Sequence, residues 1–387
     1  MVSCIQEIPM VSLGIDDEYY INRMQKLELN PAFRGENYRW YIRTIDGTDS
    51  LASTERRYLF LTAEEGTYYL TFEILDSIAP YRHSLRINVV HEEVEYSPYL
   101  STVYEYRPAP GQFVNTMPLY EPGDTEENMR KKAEESLSGS NNIMVSLGSY
   151  GGYITFGFDH TVMNVKGERD FLILGNSFYS DIPDYAEQKG GSSEPGIVMV
   201  AYDRNMNGRP DGDEWYELAG SEYYKPETQK TYSISYQRPE KDKKPVPDPS
   251  GTIIDMEYIR WTDNREKTGY IGKNKFHDQS YYPEWLSDDK LTFEGTLLPP
   301  NGKDVSGFGS YWVLFAYGWG YADNHPNKYE DLNSFDISWA VDKKGNPVHL
   351  PGVDFVRVYT GVNQQCGWLG ETSTEICHAR DLHISLY

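Results

Sequence analysis

No stretch of this chain approaches the ~20 consecutive apolar residues that a membrane-crossing helix needs, which excludes a helical membrane span. Positive charge is in short supply. Lys and Arg number 36 against 59 Asp and Glu, leaving a net charge of −23. A field of that sign repels phosphate backbones and excludes nucleic acid as a partner. The recognised catalytic signatures are missing too: there is no His-Glu-x-x-His zinc site, no Gly-x-Ser-x-Gly elbow and no phosphate-binding glycine loop. The eight histidines are scattered singly. The pattern argues for a binding protein and against an enzyme, with no catalytic residues assigned. In so acidic a chain a sandwich can still bring two carboxylates together, so a carboxylate-dependent hydrolase stays open as an alternative.

What is present is a chain too long for one ordinary domain, 387 residues, which makes two domains the natural division. Tyrosine is abundant, with 33 residues. It suits half-wet recognition surfaces, and equally suits strands. Residues 5–95 read as a small β-sandwich. Leu70, Phe72 and Ile74 alternate with Thr71 and Glu73, and Leu85, Ile87 and Val89 repeat the period-2 pattern. Trp40 is the natural centre of its core. These features resemble the PKD-like family of immunoglobulin-type modules.

Residues 96–139 read as a linker with Pro98, Pro108, Pro110 and Gly111, followed by a helix. Asp124 is its expected N-cap with Glu127 as capping-box partner; Met129, Ala133 and Leu137 form its apolar stripe, and Gly139 ends it. From 140 to 387, short strands alternate with Gly, Pro, Asn and Asp turns. Strands are expected around 153–158, 197–202, 232–236, 311–317 and 353–360. That spacing predicts an all-β fold, a larger sandwich or jelly roll following the small one.

One motif is specific. Asp203, Asn205 and Asn207 occupy positions 1, 3 and 5 of a twelve-residue calcium loop, with Gly208 at the sharp turn. Arg209 offers its carbonyl at position 7, Asp211 stands at position 9, and Glu214 can be bidentate at position 12. The flanks read as strands, so the expected cofactor is a structural calcium pinning an inter-strand connection. A metal-free Asx-rich turn is the plainer reading.

Aromatics gather where strands end: Trp261, then Tyr281, Tyr282 and Trp285, then Trp319, Tyr321 and His325, and finally Gln364, Gln365 and Trp368. Flat rings with amides suit a large planar ligand or a sugar, and each such ring can instead be core. Gly318, Gly320 and Ala322 leave room for a bulky ring beside Trp319 and Tyr321. His325 could hydrogen-bond a ligand amide or phosphate, or meet a metal through neutral imidazole, or simply shape the turn. Cys366 and Cys377 share one loop and fit either a disulfide or two buried thiols. Cys4 closes a short aliphatic–small–Cys run like the end of a lipoprotein signal.

Longer stretches carry a resemblance: residues 149–160, 194–200, 213–223 and 353–365. Together they resemble the cell surface protein family found with vitamin B12 uptake systems of gut Bacteroidetes, in which a PKD-like domain precedes a β-rich cobalamin-binding domain. The resemblance implies a lipoprotein anchored through Cys4 at the outer face of the outer membrane, held there by lipid only. It implies capture of cobalamin or another corrinoid and its delivery to a TonB-dependent outer-membrane transporter. A calcium-containing glycan-binding surface module is the alternative.

Overall fold

The computed structural model describes residues 13–44, 47–75, 81–93 and 95–385; Cys4, with the lipidation expected there, lies outside them. The chain divides into two compact units, Met1–Glu95 and Tyr96–Tyr387. Both are built from strands.

In the first unit a five-stranded sheet runs in the order Glu18–Asn22, Tyr81–Val90, Gly66–Ile74, Tyr38–Arg43, Asp49–Ser53. The first of these pairs parallel to its neighbour and the others antiparallel. A two-stranded ribbon, Leu27–Leu29 with Tyr58–Phe60, supplies Leu29 and Phe60 to the same core as Trp40, Phe72 and Ile87. Trp40 is fully buried, its ring 4.6 Å from that of Phe72, and its indole N–H donates to the Glu55 carbonyl at 3.1 Å. Each fully buried apolar side chain of this kind contributes roughly 1.5–3 kcal/mol. Leu70, Phe72 and Ile74 are buried as their alternation predicts, and Thr71 is buried as well because Ser84 covers it from the adjacent strand.

The second unit centres on a six-stranded antiparallel sheet in the order Ala340–Val341, Trp215–Leu218, Gly196–Ala201, Phe355–Thr360, Tyr153–Gly157, Thr102–Arg107. A four-stranded sheet, Thr268–Asn274, Ile253–Asp263, Gln229–Gln237, Lys290–Leu297, packs against it. The contact is made by tyrosines. The Tyr150 and Tyr232 rings meet edge to face at 5.1 Å, and Tyr359 Oη accepts from Thr296 N at 2.9 Å. Smaller sheets complete the unit, among them Phe178–Tyr179, Gly190–Ser192, Trp312–Phe315, Gly302–Asp304. The fold is an all-β sandwich architecture.

Two sequence expectations need correcting here. Residues 96–139 are not a linker: Thr102–Arg107 is the edge strand of the six-stranded sheet, paired with Tyr153–Gly157. The helix Glu126–Leu137 packs on that strand and buries Met129, Ala133 and Leu137 as expected. Its N-cap is Thr125, not Asp124. The Thr125 hydroxyl accepts from Asn128 N at 3.2 Å, and Asn128 Oδ1 accepts from Thr125 N at 2.9 Å. Asp124 and Glu127 are drawn instead to Lys132 and Arg130, whose charges outbid a neutral backbone donor.

Candidate ligand groove and calcium loop

The strand Gly196–Ala201 runs into residues 202–214 and returns as Trp215–Leu218, with Ala201 opposite Trp215. The loop between them folds on its own oxygens. Asp203 accepts from Asn207 N at 3.1 Å and from Gly208 N at 2.8 Å, and Asp211 Oδ2 accepts both the Asn205 and Asn207 amides at 2.7 and 2.8 Å. Gly208 has φ +70°, a left-handed conformation a glycine adopts freely. Glu214 Oε1 accepts from Arg204 N at 2.8 Å, but its Oε2 is buried with no donor in reach. An orphaned, buried carboxylate oxygen is one that a hard cation would satisfy, although among the described residues Asp203, Asp211 and Glu214 do not form a group whose carboxylate oxygens all lie within 4.8 Å of one another.

The second feature is a row of cavities, a broken groove, along residues 362–372. A cavity of about 270 Å³ is lined by Phe113, Phe276, His277 and Trp368, with Glu194 and Glu371 among its polar residues. A second cavity, of about 80 Å³, shares Glu371 and Thr372 with it and is lined as well by Tyr270, Gln365 and Trp261. A third cavity, of about 400 Å³ beside Tyr232 and Leu298, shares Trp261 and Asn363 with the second. Trp368 is 39% exposed, stands edge-on to Phe276 at 5.9 Å, and donates its indole N–H to Ser310 O at 3.1 Å. Gln365 Oε1 is the acceptor for Gly272 N at 3.4 Å, which ties this loop to the strand Thr268–Asn274. The groove therefore brings together three residues expected from sequence: Trp261, Gln365 and Trp368.

The remaining expected residues lie elsewhere. Tyr281 and Tyr282 are fully buried and Trp285 nearly so. Tyr282 Oη donates to Asp288 O at 2.7 Å under the Arg238 guanidinium, and Trp285 stacks on Tyr106 at 5.9 Å. They are core. Tyr321 is also core: its hydroxyl accepts from Glu222 N at 3.0 Å, and its ring fills the space where Gly220 lacks a Cβ. His325 is fully buried, with Nδ1 at 2.8 Å from Tyr179 Oη and Nε2 at 3.3 Å from Gly318 O. A carbonyl can only accept, so Nε2 carries the proton and Nδ1 accepts from the tyrosine. Burial pushes the His325 pKa down to about 4, and neither nitrogen is left for cobalt or any other ligand. Of that trio only Trp319 reaches the surface, 40% exposed over Trp339 at 4.5 Å. Cys366 and Cys377 are both free, buried thiols, not a disulfide. Cys377 Sγ donates to Gly175 O at 3.3 Å, and burial pushes both thiols up to about 11.

Sequence reasoning missed the groove's carboxylates. Glu194, Asp323 and Glu375 place oxygens within 4.8 Å of one another, and Glu371 lines the same cavity as Glu194. Burial raises the pKa of all four, and repulsion from neighbouring carboxylates adds to it for Glu194, Asp323 and Glu371; Glu371 rises to about 8. The residues lie far apart in the chain, so no spacing signalled them. The one local sign is the pair of glutamates bracketing the hydroxyl run Thr372, Ser373, Thr374.

Comparison with known proteins adds little. No family model matches the chain, and no curated protein does. Among solved structures, a quinonprotein alcohol dehydrogenase-like protein from Bacteroides thetaiotaomicron shares 10% identity over 68% of this chain and 49% of its own, with a TM-score of 0.19. The chain thus spans about half the length of that protein. A SusE-like protein shares 8% identity over 93% of both chains, with a TM-score of 0.26. A β-sandwich carbohydrate-binding module shares 9% over 93% of this chain and 92% of its own, with a TM-score of 0.15. Superpositions this loose carry no argument about function.

Proposed function

We propose that the second unit is a cell-surface glycan-binding module that holds sugar rings in the row of cavities along residues 362–372. The observation that carries this is a row of three neighbouring cavities, of about 270, 80 and 400 Å³, with Trp368 lining the first and Trp261 lining the other two. Sugar rings offer apolar C–H faces that stack on indoles and hydroxyls that pair with amides. Gln112, Asn363 and Gln365 supply such amides along the groove. A corrin macrocycle is one broad body, whereas the space here is divided among separate cavities.

Corrinoid capture is the second reading. It rests on the sequence resemblance and on the same amides, which would pair with the amide arms of the corrin. In either reading the protein binds and does not turn over its ligand. Anchoring through Cys4 at the outer membrane and delivery to a TonB-dependent transporter complete the proposed role. Calcium held by Asp203, Asn205, Asn207, Arg209, Asp211 and Glu214 would fix the hairpin that edges the central sheet. A glycan panel screened in parallel with cyanocobalamin separates the two ligands: glycan hits without cobalamin binding support the first reading, and the reverse result supports the second.

A further inference from the structure

The floor of the 270 Å³ cavity holds more carboxylate than a dry interior tolerates without compensation. Asp323 and Glu375 are buried, and Glu194 lines the cavity in front of them. One oxygen from each lies within 4.8 Å of the others. The backbone is shaped to hold them there. Asp323 Oδ1 accepts from Asn176 N and Ser177 N at 2.7 and 2.9 Å, and its Oδ2 from Glu375 N at 3.0 Å. Glu375 accepts from Ser373 Oγ at 2.7 Å and Asn176 Nδ2 at 3.2 Å. Gly175 lies so close that a Cβ there would sit 2.6 Å from Asp323 Cγ.

What is missing is positive charge. Among the described residues no Lys or Arg forms an ion pair with these groups, and the charges acting on Glu194 are those of Glu375, Asp323 and Glu371. An independent sign comes from Glu371, which lines the same cavity and is 5% exposed. Its Oε1 accepts from Gln112 N at 2.6 Å, while its Oε2 is buried without a partner. Leaving such an oxygen dry and unpaired is costly, and a cation satisfies it where no donor does.

We propose that Glu194, Asp323 and Glu375 form a second divalent-cation site, of calcium type, on the floor of the cavity that Glu371 also lines, separate from the 203–214 loop. The donor set is all hard oxygen. Ligand oxygens on one calcium ion lie no further apart than twice the bond length of about 2.4 Å, which the 4.8 Å limit meets. Glu194 faces the cavity and gives the ion its way in. This site does not depend on which ligand the groove takes.

The test is calcium binding to the chelator-stripped full chain by equilibrium dialysis, with the loop disabled by Asp203→Ala and, separately, by Glu214→Gln. Each variant should retain one equivalent of calcium. Adding Glu375→Gln or Asp323→Asn, which keep shape and remove charge, should lower the remaining affinity at least tenfold, while the near-ultraviolet dichroism stays that of the folded protein. Loop variants that bind no calcium would overturn the proposal. So would a remaining equivalent untouched by both amide substitutions.

Discussion

Trp261 and Gly269 face each other across the ladder joining Ile253–Asp263 to Thr268–Asn274, and a Cβ on the glycine would sit 2.6 Å from the indole Cε2. The bare glycine lets the indole lie over the neighbouring strand, where it lines both the 80 and the 400 Å³ cavities. Gly269→Ala should lift the ring, weakening glycan binding severalfold while the melting temperature changes little. Binding isotherms and a thermal melt on the same sample check both halves.

The proposed calcium loop, residues 203–214, makes a prediction of its own. A ligand bound only by the folded state adds about 2.7 kcal/mol at a hundredfold excess over its Kd. For a unit this size that corresponds to a rise of at least several degrees. Calcium should therefore raise the melting temperature, and Asp203→Ala should remove the part of the rise that belongs to the loop. Indifference of the wild-type melt to both calcium and chelator would contradict the site.

His160 gives the second unit a pH dependence. Burial alone would lower its pKa, but Asp159 and Asp381, each 2.7 Å away, outweigh that and raise it above 6.5. Tyr96 and Phe158 cover the ring and carry no charge at neutral pH. A raised pKa means the folded state binds the proton more tightly. The stabilisation is thus fully present below about pH 6.5 and is lost as pH climbs through the raised value. Relative to His160→Gln, the wild type should lead most at pH 5 to 6 and lose that lead on the alkaline side, as denaturant melts across pH would show.

The two buried thiols predict a labelling pattern. Intact protein should resist iodoacetamide at neutral pH, and denatured protein should be alkylated at both Cys366 and Cys377 without any reductant. Mass spectrometry of the peptides reads this directly, and a linked pair of peptides would contradict the free-thiol assignment.

The sequence was most informative where pattern is local. Period-2 runs such as Leu70–Phe72–Ile74 marked strands because alternate side chains share a face, and Asp203 to Glu214 marked a loop because its donors are consecutive in the chain. It was ambiguous wherever an aromatic ended a strand. Trp261 and Trp368 proved half-open, while Tyr281, Tyr282 and Tyr321 proved buried, and nothing in their neighbours' identities distinguishes these outcomes. Glycines opposite them do, but only once the register is known: Gly269 opens Trp261 and Gly220 seats Tyr321. The cavity-floor carboxylates were illegible for the same reason, since 194, 323 and 375 meet only through tertiary packing.

The most direct measurement is calorimetric titration of the full chain, and of Trp261→Ala and Trp368→Ala, with the best oligosaccharide from a glycan panel, with cyanocobalamin as the parallel titrant. If the groove is the site, each truncation removes a stacking platform and costs roughly 2 kcal/mol, a loss of more than tenfold in affinity. Glycan binding by the wild type, weakened in both variants, with no heat from cyanocobalamin, is the result predicted. Tight cyanocobalamin binding with no response to any glycan, or glycan affinities equal in all three proteins, would contradict it.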